Sequence, residues 1–561
     1  MLLSHLNLLA TAPGGVARLR ELILTLAVQG KLVPQHPRDE PASELLKKIR
    51  AEKARLIAEG KIKQDKPLAE IADEEKPFGL PIGWEWARWT DIALKIGDID
   101  HKMPSDVSDG VPYVSPRDFY GKNEIDFAGA KKIARSDFLD LASKIRPEKG
   151  DLIYPRYGTI GVIRMVMDDR EFLASYSCAV IKVLRGCIEP SYQYLFSMSD
   201  CVKRQAASAT NKTTQPNVGL KSIQEFLVPL PPLAEQSRIV TRVEELMRLC
   251  DALEVKGKLE AKQHAQLVSI LLATLTESET SEQLTDNWHR VATHFDLLLD
   301  RPQAVDSLEQ TILQLAVRGL LVPQNPQDEP ASALLKKIRV EKDKLIAEGK
   351  IKRDKPLPPI GEEEQPFALP QGWEWVRLQQ AYDVRDGTHD TPKYQSTGFP
   401  LVTSKNIYGG ALDLSDVKLI SPADHEQISA RSKVDRNDIL FAMIGSIGNP
   451  VLVDTDVEFS VKNVALFKYY APFLSCPEYL LLVLQTEAAG MKERAAGGVQ
   501  SFISLGQLRS SIVAIPPLAE QSRIVTRVAQ LRRLCADLRQ RLSASQSTQA
   551  HLAEALVAEN P

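Results

Sequence analysis

Histidine is the side chain best suited to proton transfer near neutrality, and two of the nine in this chain recur in matched settings. His101 lies in Asp100-His101-x-x-Pro104 and His389 in Thr388-His389-x-x-Pro392. Each has a proline three residues on, and neither has a recognisable acid or nucleophile partner in the sequence. A loop-structuring or phosphate-touching role is the better reading, with catalysis the alternative. His289 and His294 are five residues apart and lack a third ligand nearby, so they read as a solvated helix face rather than a zinc helix. Gly158-Thr-Ile-Gly161 and Gly445-Ser-Ile-Gly448 can bring backbone N–H groups to a phosphate, or can simply be tight hairpins. The chain has no G-x-x-x-x-G-K-[ST] loop, no G-x-S-x-G elbow and no H-E-x-x-H helix. Pro-Asp dipeptides and the Asn/Asp-Pro-Pro-aromatic tetrapeptide of amino-methyltransferases are also absent. No catalytic or metal-ligating residue is assigned, and the pattern favours a binding protein over an enzyme.

The elements that position these residues repeat. LVPQ at 32–35 returns at 321–324, LLKKIR at 45–50 returns at 334–339, and GWEW at 83–86 returns at 372–375, each shifted by 289 residues. PPLAEQSRIVTRV at 231–243 returns at 516–528, shifted by 285. Each half therefore has a matched head, a middle and a matched tail. The middles differ strongly yet keep a skeleton: Pro112-Tyr-Val-Ser-Pro-Arg-Asp-Phe119 answers Pro400-Leu-Val-Thr-Ser-Lys-Asn-Ile407. A period this long is a duplicated multi-part unit rather than a solenoid of roughly 20–50-residue repeats.

Heads and tails read as helical. Leu45, Leu46, Ile49, Leu56 and Ile57 have helical spacing, and Gly60 suits a C-cap. Steps of seven from Ile239 reach Leu246, Leu253, Glu260 and Leu267; from Ile524 they reach Leu531, Leu538, Ser545 and Leu552. Apolar heptads predict a coiled coil over the first three slots, with Glu260 and Ser545 either setting register or marking a frayed stretch. A helix over 232–275 would be about 65 Å long; several shorter helices, with a bend at Gly257, are the alternative. The middles carry short β-rich runs separated by Gly, Pro and Asn turns, such as 151–154, 179–183, 438–441 and 464–467.

The 561 residues suggest three to five domains of roughly 100–200 residues. With 43% hydrophobic and 25% charged residues, wholesale disorder is excluded. A balance of 70 Lys+Arg against 73 Asp+Glu argues against a naked polycation. The middles are also near neutral, with 20 cations to 18 anions over 87–227 and 13 to 15 over 376–512. Six cysteines without a C-x-x-C pair predict a reduced, cytoplasmic protein. No apolar run approaches the roughly 18–20 residues that span a bilayer, and MLLSHLNLLATAPGG reads as a short helix rather than a signal peptide.

On the duplicated P-P-L-A-E-Q-x-R-I-V, the 400–407 motif, and Gly-Asp-Leu-Ile-Tyr (150–154) with Arg-Asn-Asp-Ile-Leu-Phe (436–441) before the G-[TS]-I-G turn, the chain resembles the specificity subunit of type I restriction–modification systems over nearly its whole length. The resemblance implies an α+β fold with an internal pseudo-twofold repeat. Two globular α/β target recognition domains would be joined by long antiparallel coiled-coil helices. The segments are 1–86 (helical), 87–230 (first recognition domain), 231–300 (central helical), 301–375 (second head, repeating 12–86), 376–515 (second recognition domain) and 516–561 (terminal helix). It implies that each middle reads half of an asymmetric bipartite site on double-stranded DNA. The coil residues Ile239, Leu246, Leu253, Leu267, Ile524, Leu531 and Leu538 would form the frame that docks two modification subunits, and motor-nuclease subunits would join them. S-adenosylmethionine, ATP and Mg²⁺ would belong to those partners, with no cofactor in this chain. The candidate DNA contacts are Ser115, Arg117, Tyr157 and Lys212 in the first middle and Thr403, Lys405, Tyr408, Ser446 and Gln500 in the second. A self-contained enzyme with an unrecognised duplicated site, and a coiled-coil adaptor with two protein-binding domains, remain the alternatives.

Overall fold

Three of the recurring motifs meet on one buried carboxylate. In the computed structural model, which describes residues 6–64, 67–101, 103–158, 160–211, 216–278, 280–445, 447–495 and 502–558, Glu235 of PPLAEQ is 1% exposed. Its Oε2 accepts a hydrogen bond from Trp84 Nε1 of GWEW at 3.1 Å, and its Oε1 one from Gln35 Nε2 of LVPQ at 3.2 Å. The second copy repeats the link, with Gln324 Nε2 donating to Glu520 Oε1 at 3.2 Å. Burial raises both carboxyls above the ordinary range. Identity across the repeats at these motifs thus reflects one polar joint that locks head to tail.

The glycine of the head motif belongs to the same joint. Gly30 follows the helix Gly15–Val28 at φ +68°, and a Cβ there would meet Pro81 at 2.5 Å and Trp84 at 3.0 Å. Gly319 follows Pro302–Val317 at φ +72°, with Pro370 at 2.6 Å and Trp373 at 2.9 Å. Left-handed backbone and overpacking add, so Gly30→Ala or Gly319→Ala is expected to cost its own unit about 2–4 kcal/mol, measurable as a lowered urea midpoint.

The chain forms two units, Met1–Glu260 with Gln546–Pro561, and Ala261–Ser545. Each contains a head, a middle and pieces of two long helices, Leu233–Thr276 and Leu518–Ala558. The first long helix is unbroken across Gly257, so the single-helix expectation holds. In the first unit Ile239, Val243 and Cys250 share a core with Leu19, Ile23, Trp84 and Ala553. In the second, Val268, Leu272 and Leu275 share one with Ile524, Val528 and Cys535.

The heptad register needs one correction. Leu267 and Leu552 are 50% and 51% exposed, whereas Val268 and Ala553, one residue later, are buried. An α-helix of 3.6 residues per turn drifts about 20° per heptad against a strict seven-residue step. After four heptads the drift is about 80°, so the next residue, 100° further round, lands on the original face. The buried position thus moves on by one residue between the stretches of each long helix that pack in the two units. Among the described residues no helix is long and apolar enough to cross a membrane.

Each middle is entered and left along one antiparallel ribbon. Glu85–Arg88 pairs with Leu227–Leu230, and Glu374–Arg377 pairs with Ile512–Ile515. Beyond it stands a four-stranded sheet, ordered Ala93–Gly97, Cys178–Val183, Leu152–Pro155, Arg164–Met165 in the first middle. The second has Tyr382–Asp386, Val464–Tyr469, Ile439–Ala442, Gly448–Leu452 in the same order. The β-rich runs seen in the sequence are the inner strands: 152–155 and 439–442 are buried throughout. A three-stranded sheet packs beside each, with Val111–Val114 between Lys131–Ile133 and Leu173–Ala174, and Phe399–Val402 between Lys418–Ile420 and Ser460–Val461.

Candidate nucleic-acid interface

The three-stranded sheets contain a parallel pair, and this decides which loops meet. Tyr113 lies opposite Leu173 and Val114 opposite Ala174; Leu401 lies opposite Ser460 and Val402 opposite Val461. Parallel neighbours end at the same edge, so the loop beginning at Ser115 emerges beside residues 175–177, and that beginning at Thr403 beside 462–463. Ser175 N donates to Val114 O at 2.7 Å and Lys462 N to Val402 O at 2.9 Å.

Each first loop is a capped 3₁₀ turn followed by a small hairpin. Ser115 donates from N and Oγ to Asp118 Oδ2 at 2.6 and 3.0 Å. Thr403 does the same to Asn406 Oδ1 at 3.0 Å from both atoms. These two hydroxyl residues therefore close the loop. Arg117 and Lys405, two residues on, are exposed. The hairpins then carry Tyr120 and Tyr408 at 57% and 77% exposure. Arg164 holds the first hairpin, donating to the carbonyls of Tyr120, Gly121 and Glu124. Asn406 holds the second through the carbonyls of Asp413 and Asp416. Two differently built supports thus present the same pair, a cation and a tyrosine three residues later.

Tyr120 was not among the sequence candidates although Tyr408 was. The shift of 288 that aligns Pro112 with Pro400 also aligns these tyrosines, so the signal was present. Tyr157 is half-buried, with Arg156 5.6 Å from its ring centre and Tyr176 at 6.4 Å, and it bridges to Asn217. It packs the loop more than it displays a group. Lys212, Ser446 and Gln500 lie outside the described residues.

The G-x-I-G segments are matched turns. Gly158 and Gly445 have φ +71° and +75°, and Ile160 N and Ile447 N donate to their carbonyls at 2.9 Å. Those N–H groups are engaged inside the turn, which supports the hairpin reading over a phosphate cradle.

His389 has the partners that the sequence did not reveal. Its Nε2 lies 3.0 Å from Asp386 Oδ2 and its Nδ1 3.1 Å from Asn463 Oδ1. His101 instead lies against the ring of Tyr176, 5.0 Å away and tilted by 31°.

Of the frame residues, Ile239 and Ile524 are fully buried in their own units, and Leu246, Leu253, Leu531 and Leu538 are half-buried. The buried pair holds a unit together and has no surface left for a partner. The recurring exposed leucines of the long helices are Leu249 with Leu534, at 60% and 64%, and Leu267 with Leu552.

A family profile described as type I restriction modification DNA specificity domain matches residues 81–263 and 370–545. The chain is similar to the type I restriction enzyme EcoAI specificity subunit of Escherichia coli, 39% identical over 97% of this chain and 93% of that protein. The EcoEI specificity subunit of Escherichia coli is 36% identical over the same shares. Among solved structures, a chain from a study of complex assembly and conformational transition of the type I R-M system is 20% identical, with TM-score 0.47, covering 86% of this chain and 99% of its own. The HsdS subunit from Thermoanaerobacter tengcongensis gives 19% and 0.38, covering 86% and 98%. With two matched copies of the domain and full-length relatives of this identity, the chain belongs to the specificity subunits of type I restriction–modification systems.

Proposed function

We propose that each middle reads one half of an asymmetric, two-part sequence in double-stranded DNA. The long helices dock two modification subunits, and motor-nuclease subunits join the assembly through them. The chain itself transfers no methyl group and cuts no strand; S-adenosylmethionine, ATP and Mg²⁺ act on the partners. The observation that carries this reading is the recurrence, on two otherwise dissimilar middles, of an exposed cation and tyrosine at one sheet edge: Arg117 with Tyr120, and Lys405 with Tyr408. Arg and Lys suit the guanine edge in the major groove, and a phenol adds stacking or a hydrogen bond. The exposed leucine pairs on the long helices support the docking role, because apolar groups kept at equivalent open positions in both copies suit two like partners.

The test is adenine-methylation mapping with the assembled complex and S-adenosylmethionine. A two-part sequence is expected. Arg117→Ala should relax one position in one half, and Lys405→Ala one position in the other, each with a loss of about 10–100-fold for the 1–3 kcal/mol of a base contact. Methylation without a two-part sequence, or methyl transfer by the purified chain alone, would refute the reading.

A further inference from the structure

The corner after the first strand of each four-stranded sheet recurs as Asp-x-x-His, Asp98 to His101 and Asp386 to His389, and its acid is anchored twice by different means. Asp98 is ion-paired with Arg156, which follows the strand Leu152–Pro155. Asp386 is ion-paired with Arg431 of the helix Pro422–Ser432. Two unrelated arginines on the same carboxylate indicate that the corner's placement matters, whatever the surrounding residues. In both middles the histidine then touches the segment just before the central strand. There the side chains differ: Tyr176 with Ser177 in the first middle, Lys462 with Asn463 in the second. That segment stands at the edge where the cation loops emerge.

We propose that Asn463 is a specificity-determining residue of the second middle, reading a base edge, with His389 as its positioning residue; this rests on the DNA-reading function above. Asp386 accepts from Nε2–H of His389, which fixes the ring and leaves Nδ1 as an acceptor; the Asn463 amide end 3.1 Å from it is then the NH2, with the carboxamide oxygen and nitrogen exchanged. The opposite end makes no hydrogen bond among the described residues, and the residue is half-buried. Asn463 N donates to Thr388 O at 3.2 Å and its φ is +55°. The backbone is thus held in a region that asparagine tolerates and most residues avoid. A carboxamide carries a donor and an acceptor side by side, the pattern that matches N7 and N6 of adenine in the major groove. The nitrogen that meets His389 keeps a second N–H for this purpose. In the first middle the same corner presents the ring of Tyr176 instead, so one frame displays two different readers.

The positive φ makes glycine the informative substitution, because it removes the amide without straining the backbone. The experiment maps methylated adenines for the assembled complex carrying Asn463→Gly, His389→Ala or His389→Gln. In Asn463→Gly, one A·T position of the second half is expected to become degenerate by 10-fold or more, with the first half unchanged. His389→Ala should relax the same position, and His389→Gln, which keeps donors toward Asp386, should restore part of the preference. An unchanged sequence in Asn463→Gly overturns the proposal. So does a uniform loss of methylation over all sites with normal thermal unfolding, which is the behaviour of a phosphate contact or a structural residue. If the unaltered complex methylates no two-part sequence, the underlying DNA-reading function falls and this inference with it; if it does and the variants match it, only the inference falls.

Discussion

Exchanging residues 376–512 for the corresponding middle of a related specificity subunit is expected to rewrite one half of the methylated sequence. The other half and the spacing between them should persist. The physical reason lies in the ribbon at the neck of the middle. Val376 faces Val513 and Arg377 faces Ile512, so both cut points fall on one antiparallel pair and the exchange interrupts no other backbone ladder. Two contacts must be kept by the donor: Tyr479, which donates to Ala514 O at 3.0 Å, and Arg377, whose guanidinium donates to Glu364 at 2.9 and 3.0 Å. Tyr192 makes the matching bond to Pro229 O at 2.7 Å in the first unit, so a related middle carries the needed anchor. Spacing has its own test. Residues 255–263 of the first long helix are exposed, so seven residues inserted after Leu259 disturb neither core and lengthen the helix by about 10 Å. The spacer should change and both halves should stay. Genome-wide adenine methylation in a host carrying each variant reads both outcomes, and a change in both halves after the exchange would show joint reading.

Lys468→Met is expected to unfold the second middle at physiological temperature while sparing the first. Lys468 Nζ lies 2.5 Å from Asp438 and 2.8 Å from Asp435, and Asp438 is 3% exposed. Burial pushes the Asp438 carboxyl up to about 6 even beside the ammonium. Removing the cation strands that carboxylate, at about 3–5 kcal/mol. The sign of the pH dependence follows. A carboxyl with a folded pKa above its unfolded value is a burden when ionised, so the deficit is fullest above that folded pKa. It shrinks as pH falls below it and the group protonates. Thermal unfolding of Lys468→Met should therefore approach that of the unaltered chain near pH 5 and diverge from it at pH 8. The double variant Asp438→Asn with Lys468→Met should recover most of the loss at pH 8. The first middle carries the same arrangement, Lys182 with Asp151 at 2.5 Å and Glu148 at 2.8 Å, and supplies the independent repeat.

The repeat and the helical frame are legible in the sequence because they rest on local patterns. A shift of 289 in the heads, the proline-led tails and the buried runs 152–155 and 439–442 each follow from residues close in the chain. The two loops share one motif, with the exposed Arg117 and Lys405 inside it and the exposed Tyr120 and Tyr408 directly after it. What required the fold was every relation between distant residues. Glu235 meets Gln35 and Trp84 across 200 and 151 residues, so three motifs that look separate are one buried joint. Leu267 yields its place to Val268 because a 3.6-residue turn falls about 20° behind a seven-residue step at each heptad. His389 has one partner three residues back, Asp386, within the recurring Asp-x-x-His spacing, and another 74 residues away, Asn463, brought to it only by the strand order of the sheets. Sequence spacing determines which face of a helix or strand a side chain takes; the company it finds there is decided by strand order and packing, which no local pattern encodes.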